Sequence, residues 1–349
     1  MRFPTIVSPH IAPVNDVSRI MRQVLLALVP GTLLAMYFFG WGVLLNIVLA
    51  VAAGLLSEAA MLALRGRALK PFLSDGSVIV SAWLLAVCLP PLAPWWIPVV
   101  GISFAVIFAK HLYGGVGYNL FNPAMVAYAV LLVSFPREMT QWGLPQGVAT
   151  DSLSLVDSVR YAFSGVLPAG VGWDALSGAT ALNVLKTELG QGATWDSLRH
   201  SPVFGAFGGT GWEWVALGWL AGGLWMLWRG VIQWRIPLAV LTSFSLLALG
   251  FHLYDPTHFA SPLFHLLSGG LMLGAFFIAT DPVSAATTTR GQLIFGAGIG
   301  ALIFLIRAFA GFPDGVAFAV LLMNIAAPLI DHYTPARPFG RLPGKSPKT

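Results

Sequence analysis

Charge is scarce in this sequence: Asp, Glu, Lys and Arg make up 9% of it, against 57% hydrophobic residues. A soluble domain carries roughly 25% charged residues. The deficit, with a mean hydropathy of +0.78, indicates an integral membrane protein. Cysteine is scarcer still. Cys88 is the only one, so an intrachain disulfide is excluded. An iron–sulfur cluster takes about four thiolates, so the chain cannot hold one alone, and Cys88 reads as a small apolar residue within a helix. No Gly-rich nucleotide fingerprint follows a strand, and no nucleic-acid module is visible. Basic cytoplasmic loops account for the formal net charge of +5. No cleavable leader is expected, because the basic start runs into a hydrophobic stretch that spans.

What is abundant is apolar sequence in runs approaching the ~20 residues that cross a bilayer. They fall at about 24–39, 43–64, 77–89, 97–109 and 122–135, then at 212–228, 236–251, 263–279, 293–309 and 316–330. Pro90-Pro91 stops the third run. Asn122-Pro123 opens the fifth as cap and first-turn proline. Residues 136–209 contain no spanning run. The expected architecture is an all-α integral membrane protein of about ten transmembrane helices. Its parts are an N-terminal tail (1–19), a five-helix unit (20–135), a polar loop (136–209), a second five-helix unit (210–331) and a C-terminal tail (332–349).

The two units look related. Val126-Ala-Tyr-Ala-Val-Leu-Leu132 matches Val316-Ala-Phe-Ala-Val-Leu-Leu322 apart from one aromatic. Leu73-Ser74-Asp75-Gly76 matches Leu267-Ser268-Gly269-Gly270, and the spacing from Gly101-Ile102 to Lys110 equals that from Gly298-Ile299 to Arg307. An odd number of spans per unit inverts the second copy, and inverted repeats with broken helices place functional sites at their interface. Threading the chain with both termini in the cytoplasm puts 14 of the 19 basic residues inside. Residues 136–209 then lie on the outer face.

That loop carries Asp174-Ala-Leu-Ser177-Gly178-Ala179-Thr180. Gly178 and Ala179 leave the Thr180 hydroxyl open to a large partner, and Asp174 and Ser177 flank it with polar groups. The segment resembles the motif at which a flavin transferase joins FMN, through its phosphate, to threonine. A more ordinary reading has Ser177 capping a short helix over about 178–189, which is compatible, because a helix N-terminus favours phosphate. Asp281, before Pro282 at a helix break, and Glu58, inside the second span, are candidates for an ion pathway, since an intramembrane acid is costly. Asp75 and Asp331 read as helix caps. Lys110 and Arg307 either neutralise the charge of a flavin or of a partner, or snorkel from a helix end. His252, His258 and His265 flank one turn and read as interfacial residues rather than haem ligands. Asn119 and Asn122 read first as caps. No metal site and no catalytic residue are expected.

With Ser74-Asp75-Gly76, Gly117-Tyr118-Asn119-Leu120-Phe121-Asn122-Pro123-Ala124, Ser177-Gly178-Ala179-Thr180, Ala279-Thr280-Asp281-Pro282-Val283-Ser284 and Asp331, nearly the whole chain resembles the family of D subunits of Rnf ion-translocating oxidoreductases. It is more distantly similar to the B subunit of the sodium-pumping NADH:quinone reductase. The resemblance implies FMN in phosphodiester linkage at Thr180, attached by a flavin transferase, and a second, noncovalent flavin (riboflavin). It implies electron transfer between ferredoxin and NAD coupled to Na+ or H+ translocation. The chain would act in a bacterial inner membrane with membrane, peripheral and iron–sulfur subunits of one complex. A stand-alone inverted-repeat channel of the urea-channel class and a purely structural anchor are the other readings.

Overall fold

A computed structural model of the chain describes residues 17–335. The tail basic residues Arg2, Arg337, Arg341, Lys345 and Lys348, which bear on the expected orientation, lie outside the described residues. The chain opens with α1 (Val17–Phe39) and α2 (Gly42–Leu64), then the single-turn α3 (Leu69–Leu73) and α4 (Ser77–Cys88). Helix α5 (Trp96–Phe104) runs on as a π-helical segment, Ala105–His111, and α6 (Pro123–Ser134) closes the first half. The loop folds into α7 (Pro136–Thr140), strand β1 (Trp142–Gly143), α8 (Leu155–Ser164), α9 (Trp173–Leu176), strand β2 (Ser177–Gly178), α10 (Ala181–Gly190) and α11 (Trp195–Leu198). The second half comprises α12 (Trp212–Trp228), α13 (Arg235–Tyr254), α14 (Pro262–Leu266), α15 (Leu271–Leu273), a π-helical segment Gly274–Ile278, α16 (Thr289–Phe309) and α17 (Val316–Tyr333).

Among the described residues, six stretches are long and apolar enough to cross a membrane: α1, α2, α3–α4, α13, α16 and α17. Other apolar stretches are short or broken, as the broken-helix reading expects. Helix α6 has 12 residues, about 18 Å at ~1.5 Å per residue, well short of the ~30 Å hydrocarbon core. The run at 263–279 is not one helix but α14, a break and α15 with its π segment. Asp75 explains the start of α4, because its carboxylate accepts from the Ser77 amide and hydroxyl, both at 2.7 Å. Gly76 precedes it at φ +79°, a conformation that only glycine adopts readily.

Pairings in the first half recur in the second. Helix α2 packs on α5 as α13 packs on α16, α1 on α4 as α12 on α15, and α5 on α6 as α16 on α17. The halves meet along α1–α12 and α6–α17. Gly218 and Gly222 of α12 let that helix approach α1 closely: a Cβ on Gly218 would lie 2.8 Å from the Gly31 Cα, and one on Gly222 would strike the Ala27 carbonyl. In lipid, such small residues four apart are what allow helix backbones to touch. One apolar core runs through both halves. A smaller one, with Leu182, Leu185, Phe204 and Phe264, holds α10 onto the second half.

Candidate functional site

Thr180 is the N-cap of α10, and its Oγ accepts from the Asn183 amide at 3.3 Å. Ser177 is not the cap. It lies with Gly178 in β2, antiparallel to β1, with Trp142 opposite Gly178 and Gly143 opposite Ser177, while its hydroxyl donates to the Trp173 carbonyl at 3.1 Å. The small size of Gly178 also serves packing, since a Cβ there would lie 2.5 Å from Leu144 Cδ2. Asp174 and Ala179 are exposed and Thr180 half-buried. Thus Thr180 is held between a strand pair and a helix start, with Asp174 six residues earlier on α9.

Helix α10 is fixed to the membrane part at its other end. Lys186 donates to the carbonyls of Ile306 (3.3 Å), Arg307 (3.3 Å) and Phe312 (2.9 Å). It therefore caps the C-terminus of α16, a favourable place for a cation.

Beneath Thr180 opens a cavity of about 340 Å³ between the halves. This lies within the roughly 300–1,000 Å³ of small-molecule and cofactor sites. Its rim includes Thr180 and Asn183, its walls Trp142, Trp212 and Tyr128, and it reaches Asp314 of the α16–α17 connection, whose carboxylate accepts from the Gly270 amide at the broken third span. Trp142 and Trp212 stand edge-to-face at 5.0 Å, and Phe39 continues the row 4.8 Å from Trp212. Sequence reasoning singled out none of these aromatics, because the three belong to separate segments and meet only in the fold.

A second cavity of about 140 Å³ is lined by Lys110, Asn119, Asn122, Thr280 and Asp281. Asp281 accepts from Ser284 Oγ at 2.8 Å and the Val283 amide at 3.3 Å. Asn122 caps α6 as expected, accepting from the Met125 amide at 3.2 Å. It also crosses between halves, donating its side chain to the Ile278 carbonyl at 3.4 Å and its backbone N–H to Asn324 Oδ1 at 3.1 Å.

Glu58 lines neither of these cavities. It is 1% exposed, and Lys110 Nζ donates to its Oε2 at 2.9 Å. His111 Nε2 lies 3.1 Å from the same oxygen. Lys110 thus does not snorkel, since its ammonium is paired inside the protein. Arg307 behaves likewise. It donates to Asp314 (3.1 Å), the His265 carbonyl (2.7 Å) and the Ser268 carbonyl (3.1 Å).

Asp331 accepts from the Thr287 and Thr288 amides, a cap in trans for α16. Of the three histidines, His252 bonds the Phe259 carbonyl at 2.7 Å and His258 bonds Asp255 at 2.7 Å, while His265 is buried. The Thr257 hydroxyl and then His258 hold the Asp255 carboxyl down at about 2, a tight local turn. No cluster of metal-ligating side chains occurs among the described residues.

The model of the family described as "NQR2, RnfD, RnfE family" matches residues 5–340. A protein of Shigella dysenteriae serotype 1 (strain Sd197), named as the D subunit of an ion-translocating oxidoreductase complex, is 49% identical over 352 residues, covering 99% of this chain and 100% of its own. Proteins of the same name from Escherichia coli O9:H4 (strain HS) and Escherichia coli (strain K12 / DH10B) show the same identity and coverage. With a family match over nearly its whole length and relatives this similar from end to end, the chain belongs to the NQR2, RnfD, RnfE family.

Proposed function

We propose that this chain is the membrane flavin subunit of an Rnf-type ion-translocating oxidoreductase complex. It carries FMN in phosphodiester linkage at Thr180. The observation that carries the reading is the position of Thr180 at a helix N-terminus on the rim of an aromatic-walled cavity. Both halves of FMN find a place there. The first turn of α10 would offer its free amides to a phosphate on the Thr180 oxygen, with the helix dipole favouring the anion. Trp142, Trp212 and Phe39 offer faces and edges to a flat heteroaromatic ring.

In attachment, the Thr180 oxygen bonds to the FMN phosphorus of FAD, the bond to AMP breaks, and the hydroxyl proton leaves with the transferase's base. Gly178 and Ala179 keep this approach clear, and the exposed Asp174 is placed to orient the loop. Bound FMN supplies stepwise electron transfer. The chain's own part is to hold the ring near the seam of the halves and away from bulk water. We further propose that the loop is on the outer face of a bacterial inner membrane with both termini cytoplasmic. Electrons pass between ferredoxin and NAD through iron–sulfur and other subunits of the complex, coupled to Na+ or H+ movement.

Riboflavin remains part of the reading, and the second cavity is its candidate place. Asn119, Asn122, Lys110 and Asp281 offer donors and acceptors to the edge of a flavin ring. At about 140 Å³ this space is below the usual cofactor range and admits that edge alone, so no step is assigned to it. For ion handling we favour Asp281, which lines that cavity, over Glu58, whose carboxylate is committed to Lys110.

The test is flavin fluorescence of the 37.2 kDa band on a denaturing gel after co-expression with the transferase. The wild-type band should fluoresce and Thr180→Val should be dark. A dark wild-type band or a bright variant overturns the linkage. A dark variant in a complex of full activity supports the structural-anchor reading.

A further inference from the structure

Helix α8 has an apolar face that the rest of the chain leaves uncovered. At about 100° per residue, Leu155, Val159, Phe163 and Val156 fall within one arc of roughly 100°. Val156 is 74% exposed, Phe163 55% and Leu155 45%. Ser158 and Ala162 on the adjoining arc are buried against the protein. Asp157, Arg160 and Ser164 occupy the far side. Going round the helix, the surroundings therefore change from protein to an uncharged apolar arc and then to water.

The location of the helix says what lies against that arc. Helix α8 packs on α2, and the Trp95 amide donates to the Ala162 carbonyl at 3.1 Å. Phe163 stacks on Trp95 at 5.7 Å with an interplanar angle of 11°. Trp95 immediately precedes α5 at its loop-side end, a position where tryptophans mark the membrane–water interface. The neighbouring helices expose apolar side chains as well, Val48 of the spanning α2 at 55% and Val100 of α5 at 42%. The apolar arc of α8 thus continues a lipid-facing surface at the height of its aromatic girdle.

We propose that α8 is an interfacial helix, lying along the loop-side leaflet with Val156, Val159 and Phe163 inserted among the lipid acyl chains and Asp157 and Arg160 turned to water. A strong hydrophobic asymmetry together with few apolar residues overall is what distinguishes such helices from spanning ones. The occupant is phospholipid. The consequence for the loop is a second mooring: Lys186 ties α10 to the second half, and α8 ties the preceding segment to the bilayer beside the first. The inference does not depend on the flavin at Thr180.

A photoreactive benzoyl-phenylalanine placed singly at Val156, Phe163, Arg160 or Val48 tests this in the intact complex in native membranes. Val48 serves as the lipid-facing control. Irradiation at Val156 and Phe163 should give adducts with the added mass of one phospholipid, as at Val48, and Arg160 should give at least fivefold less. A protein-sized adduct at Val156 or Phe163 would mean that another protein of the complex covers the face. An Arg160-like yield at both would place the face in water. Either result overturns the proposal.

Discussion

Lys110 and Arg307 occupy matched places in the two halves and do matched work by different means. Each reaches the break of the third span in its own half, Lys110 through Ser77 Oγ at 3.1 Å and Arg307 through the Ser268 carbonyl. Each is neutralised by an acid, Glu58 in one half and Asp314 in the other. Solvent access differs, and that sets the energetics: side-chain exposure is 1% for Glu58 and 25% for Asp314. Removing one member of a buried pair strands the other charge and costs about 3–5 kcal/mol. Lys110→Met should therefore lower the unfolding midpoint of the detergent-solubilised protein sharply, and adding Glu58→Gln should restore most of the loss. Arg307→Met should cost less through its acid, because Asp314 can be hydrated from the large cavity. A pair at positions 58 and 110 that proves additive in a double-mutant cycle would refute the coupling. The sequence marked Lys110, Arg307 and Glu58 as notable. It did not pair Lys110 with Glu58, because the two lie 52 residues apart and no local pattern carries that information.

At the scale of elements, the site depends on a two-residue strand pair. Residues 177–180 contain two good capping side chains, and local rules favour the first. The structure uses the second, because β1 pulls Ser177 and Gly178 into an extended ladder, an interaction with a segment about 35 residues earlier. This shifts the helix start to Ala181 and brings the capping oxygen to the cavity rim. It also gives Gly178 a packing role beside access. Gly178→Ala should strain the Leu144 contact by about 1–3 kcal/mol and reduce covalent flavin several-fold in the gel assay. Gly178→Ala combined with Leu144→Ala should recover it. If access alone mattered, the Leu144 change would not help.

Over the whole molecule, the seam between the halves is the structural fact on which both cavities rest. It is closed on one side by α1 against α12, with Gly218 and Gly222 at the contact. On the other side α6 meets α17, with Asn122 and Asn324 crossing. A side chain at Gly222 would force α1 away, whereas Gly250 on α13 has open space. Gly222→Leu should lower thermal stability by about 1–3 kcal/mol or more, as overpacking does, in fluorescence-detected size-exclusion melts. Gly250→Leu should be near neutral. Equal effects would mean that helix propensity, not the seam, dominates.

The sequence alone determined the membrane class, the loop at 136–209, the breaks at Ser74-Asp75-Gly76 and Ser268-Gly269-Gly270, and Thr180 as the residue of interest. These follow from local quantities: apolar run length, helix-breaking residues, and small residues beside a hydroxyl. Only the tertiary structure decided that Thr180 overlooks a cavity, that its walls are Trp142, Trp212 and Phe39, that Lys186 is a helix cap, and that Glu58 is paired with Lys110. These are contacts between segments far apart in the chain, made by side chains whose type is ordinary for a membrane protein. Periodicity and composition say which residues are apolar or charged, but the packing of one half against the other says which of them meet.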